Sequence, residues 1–381
     1  MNLPAGEREL SERLSQLDDL ARIPEAANTT PVYLVGGSVR DLLLGTPRVD
    51  LDVVVEGSAE ELAERLGGAE AVHERFGTAT VRLGGLAVDL ATARAETYPQ
   101  PGALPSVRPA DLEADLARRD FTINAMAIPL TGETRLIDPH GGRGDLDAGL
   151  IRVLHPASFV DDPTRALRAA RYAARLSFSL ESRTAQIVRE ADLETVSADR
   201  VDAEMLRICA EPAAAAALAL LEGWGLLELA PRAPERVEAV RELLSAPPWR
   251  GEADVALSVY AAAVGHAPGQ AGGLRELGST ADRLAAERPA RPSEAVALAT
   301  AHGAVELVLA RAAGAAWLDD YVTTWRDVAL EISGDDLLAT GVPQGPALGR
   351  GLEVALAAKL DGEIDGREAE LATAIAAAGG S

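Results

Sequence analysis

The hydrophobic periodicity of the chain changes partway along it. Up to about residue 140, apolar runs of strand length alternate with short helical stretches, and from about residue 160 the pattern is almost purely helical. Residues 7–22 (ERELSERLSQLDDLAR) place Leu10, Leu14, Leu17 and Leu20 at helical spacing and predict an amphipathic helix. Residues 31–35 (PVYLV) read as a short buried strand, broken by Gly36 and Gly37 and followed by a helix that Gly45 ends. Residues 50–55 (DLDVVV) read as a second strand, 58–67 as a helix, and 79–93 as two strands around the Gly84-Gly85 turn. The Pro- and Gly-rich stretch 94–110 predicts a mobile loop, 111–127 a helix and 134–138 a strand. Ala-rich tracts at 212–220 and 355–358 are helical low complexity, and no internal repeat is present. The fold class expected is α+β: an N-terminal helix (1–30), a head with a small mixed sheet (31–150), a helical neck (151–210) and a helical body and tail (211–381).

Composition narrows the function classes. A length of 381 residues suits two or three domains. With 48% hydrophobic but only 3% aromatic residues, the core has to be built from Leu, Val and Ala. There is no apolar run of about 18 residues, so no membrane span is expected. The acidic, polar start of the chain lacks the pattern of a secretory signal. Cys209 is the only cysteine, which excludes an internal disulfide and a multi-cysteine zinc site and fits a reducing cytoplasm. The net charge of −23 argues, as a total, against a nucleic-acid binder. Lys359 is the only lysine, however, so the positive charge is arginine, and several arginines gather in short segments.

Four of these segments carry chemistry. In YLVGGSVRDLLLG (33–45), two glycines let backbone approach a ligand, and the following helix offers free N–H groups and its positive dipole end, a phosphate-binding arrangement within reach of Arg40. A Gly-Gly turn alone is commonly just a tight turn. Asp50 and Asp52 lie two apart on a strand and so face one side. Two carboxylates side by side favour a cation between them, and oxygen ligands suit Mg²⁺; a solvated strand end is the plainer alternative. Asp89, on a neighbouring strand, is a candidate third carboxylate. In RRDFTINA (118–125), an arginine could bind phosphate while Asp120 or Asn124 holds a sugar hydroxyl. Finally, DDPTRALRAARYAARL (161–176) stripes one helix face with Arg165, Arg168, Arg171 and Arg175, one turn after Asp162. An Asp and an Arg one turn apart can read a base edge, one accepting hydrogen bonds and the other donating them. The helix itself holds few acidic neighbours to neutralise four arginines, which disfavours a merely solvated face.

Taken together, LVGGSVRDLLLG, DLDVVV, RRDFTINAMA, DPHGGRGDL and DDPTRALRAARYAARL, in that order and spacing, resemble the class II tRNA nucleotidyltransferase and bacterial poly(A) polymerase family of the polymerase-β-like superfamily, over about residues 31–210. The resemblance implies that Asp50 and Asp52 hold catalytic Mg²⁺. It implies that Gly36, Gly37, Ser38 and Arg40 meet the incoming nucleotide with Arg119, Asp120 and Asn124, and that Asp162 and Arg165 select C or A, supported by Arg168 and Arg171. ATP and CTP would be the substrates and the 3′ end of tRNA the acceptor. The departures are Asp161 and Asp199 where the family commonly has Glu, no basic tail of the poly(A) polymerase kind, and no HD-type metal motif. Members that add only CC tend to lack the loop at 93–107, which makes CCA addition the first expectation and addition of the terminal A alone, after a separate CC-adding enzyme, the second.

The helical C-terminus is less informative. In the family it grips the tRNA acceptor and T arms. Trp224, Trp249, Trp317 and Trp325 are expected in cores, Gly341 to Gly351 as a tight helix–turn–helix, and the five histidines as scattered residues without a metal set.

Overall fold

The computed structural model describes residues 10, 12–14, 18–46, 50–73, 77–266 and 271–379. They fall into two compact units. The first comprises residues up to Glu204 together with Glu211–Leu226, the second Met205–Ala210 and Leu227 onward. The first unit thus holds the expected head together with residues 151–204 of the expected neck. Residues 211–226, expected in the body, pack with it too, because Leu220, Trp224 and Leu226 lie on the first core.

Within the first unit the elements that position the site are α1 (Arg22–Ala27), β1 (Val32–Val35), α2 (Gly37–Leu44), β2 (Asp50–Val55), α3 (Ala59–Arg65), β3 (Ala71–His73), β4 (Thr78–Leu83), β5 (Leu86–Thr92), β6 (Arg94–Thr97), β7 (Ser106–Pro109), α4 (Leu112–Ala117), β8 (Ala127–Pro129), α5 (Thr164–Leu176), the start of α6 (Ala198–Ala210) and α7 (Ala214–Trp224). Of the N-terminal helix, residues 10 and 12–14 are helical, and Leu10 and Leu20 are buried; Leu17 lies outside the described residues.

Six strands form one mixed sheet in the order β3-β4-β5-β2-β1-β8. β2 pairs antiparallel with β1 and parallel with β5, the parallel pairing being reached by the crossover through α3, β3 and β4. Strand parity explains what each face holds. Leu51, Val53 and Val55 point into the larger core with Val88 and Leu90, while Val54 faces a smaller cluster with Val35, Ala93 and Ala127. Asp52 shares the parity of Val54, and Asp89 that of Ala91, so these two carboxylates belong to the smaller face. Leu112 and Leu116 of α4 cover that face near Val54; Asp52 and Asp89 lie where it is open to solvent.

Three expectations need correction. The stretch 94–110 is not an irregular loop: β6 and β7 pair as an antiparallel ribbon from Arg94↔Pro109 to Thr97↔Ser106. The helix expected over 111–127 stops at Ala117. After a 3₁₀ turn at Thr122–Asn124, residues 127–129 become β8, since their backbone groups complete the edge of β1. Residues 134–138 contribute a single bridge, Ala127↔Ile137, and no regular strand.

Among its described residues the second unit is helical apart from a two-stranded pairing at 228–229 and 264–266. Trp249 is buried, its indole Nε1 donating to Asp319 at 2.7 Å. Trp317 and Trp325 are half-buried, and Gly334–Ala339 and Pro346–Leu360 form the expected helix–turn–helix. Among the described residues, no helix is long and apolar enough to cross a membrane.

The RRDFTINA segment meets the arginine helix at Phe121, which is fully buried and packs edge-on against Tyr172 of α5, ring centroids 6.0 Å apart. Truncation to Phe121→Ala should therefore cost about 3–5 kcal/mol, read as a lowered urea midpoint; an unchanged midpoint would mean that this contact does not hold the motifs together.

Candidate nucleotide-binding site

A cavity of about 550 Å³ opens on the smaller sheet face. The parallel register sets Asp52 directly beside Asp89 at its floor. Asp89 accepts a 2.6 Å hydrogen bond from the Thr80 hydroxyl, and the Asp52 backbone N–H donates to Ser38 Oγ at 2.8 Å, which ties the first turn of α2 to β2. The Asp50 side chain lies outside the described residues; its backbone opens β2 on the parity of Asp52. Carboxylates on adjacent strands, in register and exposed, form an oxygen donor set that suits a hard divalent cation.

Gly36 joins β1 to α2 with φ +65°, and a Cβ there would stand 2.5 Å from Arg119 Nη1, so glycine is required both for the turn and for the arginine's approach. Arg119 is held by Asp115, whose fully buried carboxylate also holds Arg118: Arg119 Nη2 donates to Oδ2 at 2.8 Å and Arg118 Nη2 to Oδ1 at 2.7 Å. Burial alone would raise the Asp115 pKa, but the charges of Arg119 and Arg118 reverse this and leave it lowered. Both arginines line the cavity.

Asp120 is the next node. Its Oδ1 accepts from the Phe121 N–H (2.8 Å) and Asn124 Nδ2 (3.0 Å), and its Oδ2 from Arg168 Nε (2.8 Å) and Nη2 (2.6 Å). Burial opposes the charge, yet Arg168 and the Asn124 hydrogen bond hold the carboxyl at about 2. The Asp120 charge in turn raises the Arg168 pKa. Asn124 Oδ1 accepts from Arg40 Nη1 at 2.6 Å. Arg40 itself is buried, bonded to Asp41 and placed over the Tyr172 ring, so it braces Asn124 from behind and does not line the cavity.

Asp162 and Arg165 face the same cavity. Asp162 Oδ1 accepts from Thr164 N–H (3.1 Å), Thr164 Oγ1 (2.6 Å) and Arg200 Nη2 (2.8 Å). Arg165 is buried: Nη1 donates to Ser158 Oγ at 2.8 Å and Nη2 to the Arg118 carbonyl at 2.8 Å, with Tyr98 Oη 3.4 Å away. Burial pushes the Tyr98 hydroxyl up to about 12 against the pull of Arg165, so it stays neutral and donates to Glu96 Oε2. Burial and Arg165 hold His155 below its ordinary value, so its neutral Nε2 accepts from Arg165 Nη1 at 3.4 Å.

The arginine stripe is not a solvated face, nor does it lack acidic partners; they come from other elements. Arg168 pairs with Asp120, Arg171 with Glu211 (3.5 Å) and Glu204 (3.8 Å), and Arg175 with Asp41 (3.5 Å). Of the residues singled out in the sequence, Gly37, Asp52, Asp89, Arg119, Asp120, Asn124, Asp162, Arg165 and Arg168 line one cavity, whereas Gly36, Ser38, Arg40 and Arg171 stand behind its wall. Sequence reasoning missed Asp115, Glu96 and Tyr98. Asp115 had a signal, lying three and four residues before two arginines on a helix.

The Asp120 pKa depression, from the ordinary 3.8 to about 2, amounts to about 2 kcal/mol of stability. A lowered carboxylate pKa contributes fully above the unfolded value and is lost as pH falls through the folded one. Asp120→Asn should therefore be destabilised at pH 7, and its deficit against the parent should shrink between about pH 4 and pH 2 in denaturant titrations. A deficit independent of pH would assign the loss to packing.

Residues 32–152 match the Poly A polymerase head domain model. An A-adding tRNA nucleotidyltransferase of Aquifex aeolicus is 53% identical over 165 residues, 42% of this chain and 20% of that protein. The chain spans half or less of the length of the A-adding relatives it matches. A CC-adding tRNA nucleotidyltransferase of Deinococcus radiodurans is 36% identical over 365 residues, 92% of this chain and 91% of that one. Among solved structures, a CCA-adding enzyme in an apo form aligns with TM-score 0.78 and 30% identity over 97% of this chain and 98% of the other. The Thermotoga maritima CCA-adding enzyme complexed with tRNA aligns with TM-score 0.71 and 31% identity over 97% of both chains. With motif, sheet, cavity and full-length similarity in agreement, the chain belongs to the tRNA nucleotidyltransferase family.

Proposed function

We propose that this protein adds C and A from CTP and ATP to the 3′ end of tRNA, completing CCA, with Mg²⁺ as cofactor. The observation that carries this reading is the cavity in which in-register carboxylates, fixed arginines and the Asp162–Arg165 pair converge. Asp50 and Asp52 would hold the cation, with Asp89 beside them. Bound there, Mg²⁺ supplies charge neutralisation of the triphosphate and a lowered pKa for the attacking hydroxyl. The N-terminal turn of α2 at Gly37 and the guanidinium of Arg119 present donors to phosphate oxygens. Asp120 and Asn124 stand where a sugar hydroxyl would be held. Asp162 accepts from the exocyclic amino group of C or A, and Arg165 donates to the ring edge; U and G offer a carbonyl at that position and are rejected by the carboxylate. The 3′-hydroxyl gives up its proton, its oxygen bonds the α-phosphorus, and pyrophosphate leaves in line. A single buried cysteine is compatible with work in a reducing cytoplasm.

A second reading is addition of the terminal A alone, downstream of a separate CC-adding enzyme; the 53% identity to an A-adding relative over 165 residues favours it. The full-length similarity to a CC-adding relative makes CC addition a third outcome of the same test. Transcripts ending before CCA, after C and after CC are offered ATP, CTP and Mg²⁺. Extension of all three to CCA is the expected result. A single A on the CC-ended transcript alone, or a stop after CC, assigns the narrower activities, and long A tails on any RNA assign poly(A) synthesis. Asp52→Ala should lower incorporation by at least about a thousandfold with an unchanged melting temperature; near-parental incorporation would remove the carboxylates from the mechanism.

A further inference from the structure

The ribbon β6–β7 ends in a tip that is docked, not free, and the docking runs through one side chain. Arg200, in the first turn of α6, donates from Nη1 to the Gly102 carbonyl at 2.9 Å and from Nη2 to Asp162 Oδ1 at 2.8 Å. The Gly102 N–H donates to the Asp161 carbonyl at 3.2 Å. Gly102 has φ +70°, and a Cβ there would stand 2.6 Å from the Thr195 carbonyl oxygen, so the tip seats on the 193–195 turn at backbone distance. One guanidinium fork thus spans the ribbon tip and the carboxylate at the start of the arginine helix.

All the donors recorded on Asp162 converge on Oδ1: Thr164 N–H, Thr164 Oγ1 and Arg200. Among the described residues none reaches Oδ2. A carboxylate held by three donors on one oxygen cannot rotate without losing all of them, so its second oxygen keeps a fixed direction in the cavity wall. Thr164 follows Asp162 closely in the chain and moves with it. Arg200 is the anchor from elsewhere in the fold, and its own position is tied to the ribbon.

We propose that Arg200 is a specificity-determining positioning residue: by holding Asp162 Oδ1 and the Gly102 carbonyl together, it fixes the acceptor that distinguishes amino-bearing bases (C and A) from carbonyl-bearing ones (U and G). The inference rests on the reading of Asp162 as the base acceptor. Lysine cannot replace the fork, because a single ammonium on a flexible stem cannot hold both acceptors in the same geometry.

The test is the ratio of kcat/KM for CTP over UTP, and for ATP over GTP, on the transcripts that the parent extends. Both nucleotides are measured on one enzyme preparation, so a reduced folded fraction cancels from the ratio, and a merely structural role would leave it unmoved. Arg200→Ala should lower the ratio about tenfold, the worth of a charge-assisted hydrogen bond, and Arg200→Lys should fall between it and the parent. Asp162→Ala is the control for the underlying reading. If Asp162→Ala keeps the parental ratio, the base-acceptor role fails. If Asp162→Ala loses selectivity while both Arg200 variants keep it, the base-acceptor role stands and the Arg200 proposal is overturned. Should Arg200→Ala not fold, a parental ratio in Arg200→Lys overturns the proposal by itself.

Discussion

A buried negative charge at Asp120 organises the first unit. Removing a carboxylate from water is costly unless donors surround it, and here four nitrogen donors do, two of them from Arg168. Satisfying that one group draws together the 3₁₀ turn that carries Asn124, the arginine helix α5 and, through Asn124, Arg40 of α2. Arg168 then reaches Glu204 of α6 at 3.6 Å. The cavity wall is the outer surface of this lattice, so the side chains exposed on it inherit the rigidity of partners that never see solvent. Asp115 performs the same service for Arg118 and Arg119, one carboxylate neutralising two guanidiniums.

Much of this was legible in the sequence, and the reason is local. β1, β2, β4 and β5 announce themselves through short apolar runs bounded by glycine, and the Asp50–Asp52 alternation fixes which side of β2 the carboxylates take. The illegible parts depend on distant partners. The Pro-rich stretch becomes a ribbon because Arg94 finds Pro109, and a helical-looking segment yields β8 because β1 needs an edge partner. The helix shows few acidic neighbours in sequence because the carboxylates that pair with Arg168, Arg171 and Arg175, namely Asp120, Glu204, Glu211 and Asp41, lie far away along the chain, as with Arg168 and Asp120 48 positions apart. Arg40 is placed 5.0 Å from the ring centroid of Tyr172, a residue no local pattern connects to it.

The charge inventory fits the architecture. A chain with a net charge of −23 and a single lysine, itself paired with the buried Glu370, leaves its other cation pairs to arginine and histidine, and the planar fork of arginine can serve two acceptors at once. Arg200, Arg118 and Arg168 each do so. The cavity wall carries both signs, Arg118, Arg119, Arg165 and Arg168 standing among Asp52, Asp89, Glu96, Asp120 and Asp162, so the total charge alone does not describe it.

The parallel pairing of β2 with β5 carries an evolutionary consequence. Asp52 meets Asp89 only while the two strands keep their register, and a slip of one residue would turn either carboxylate into the apolar core on the opposite face. Insertions and deletions should therefore be purged from β2 and β5, and from β4 that pairs with β5, by selection, yet tolerated in the loops flanking α3, a connection where a change of length alters neither register nor parity. Lineages of this fold are free to lengthen or shorten that connection, while the spacing inside the two strands acts as a ruler that descent cannot rescale.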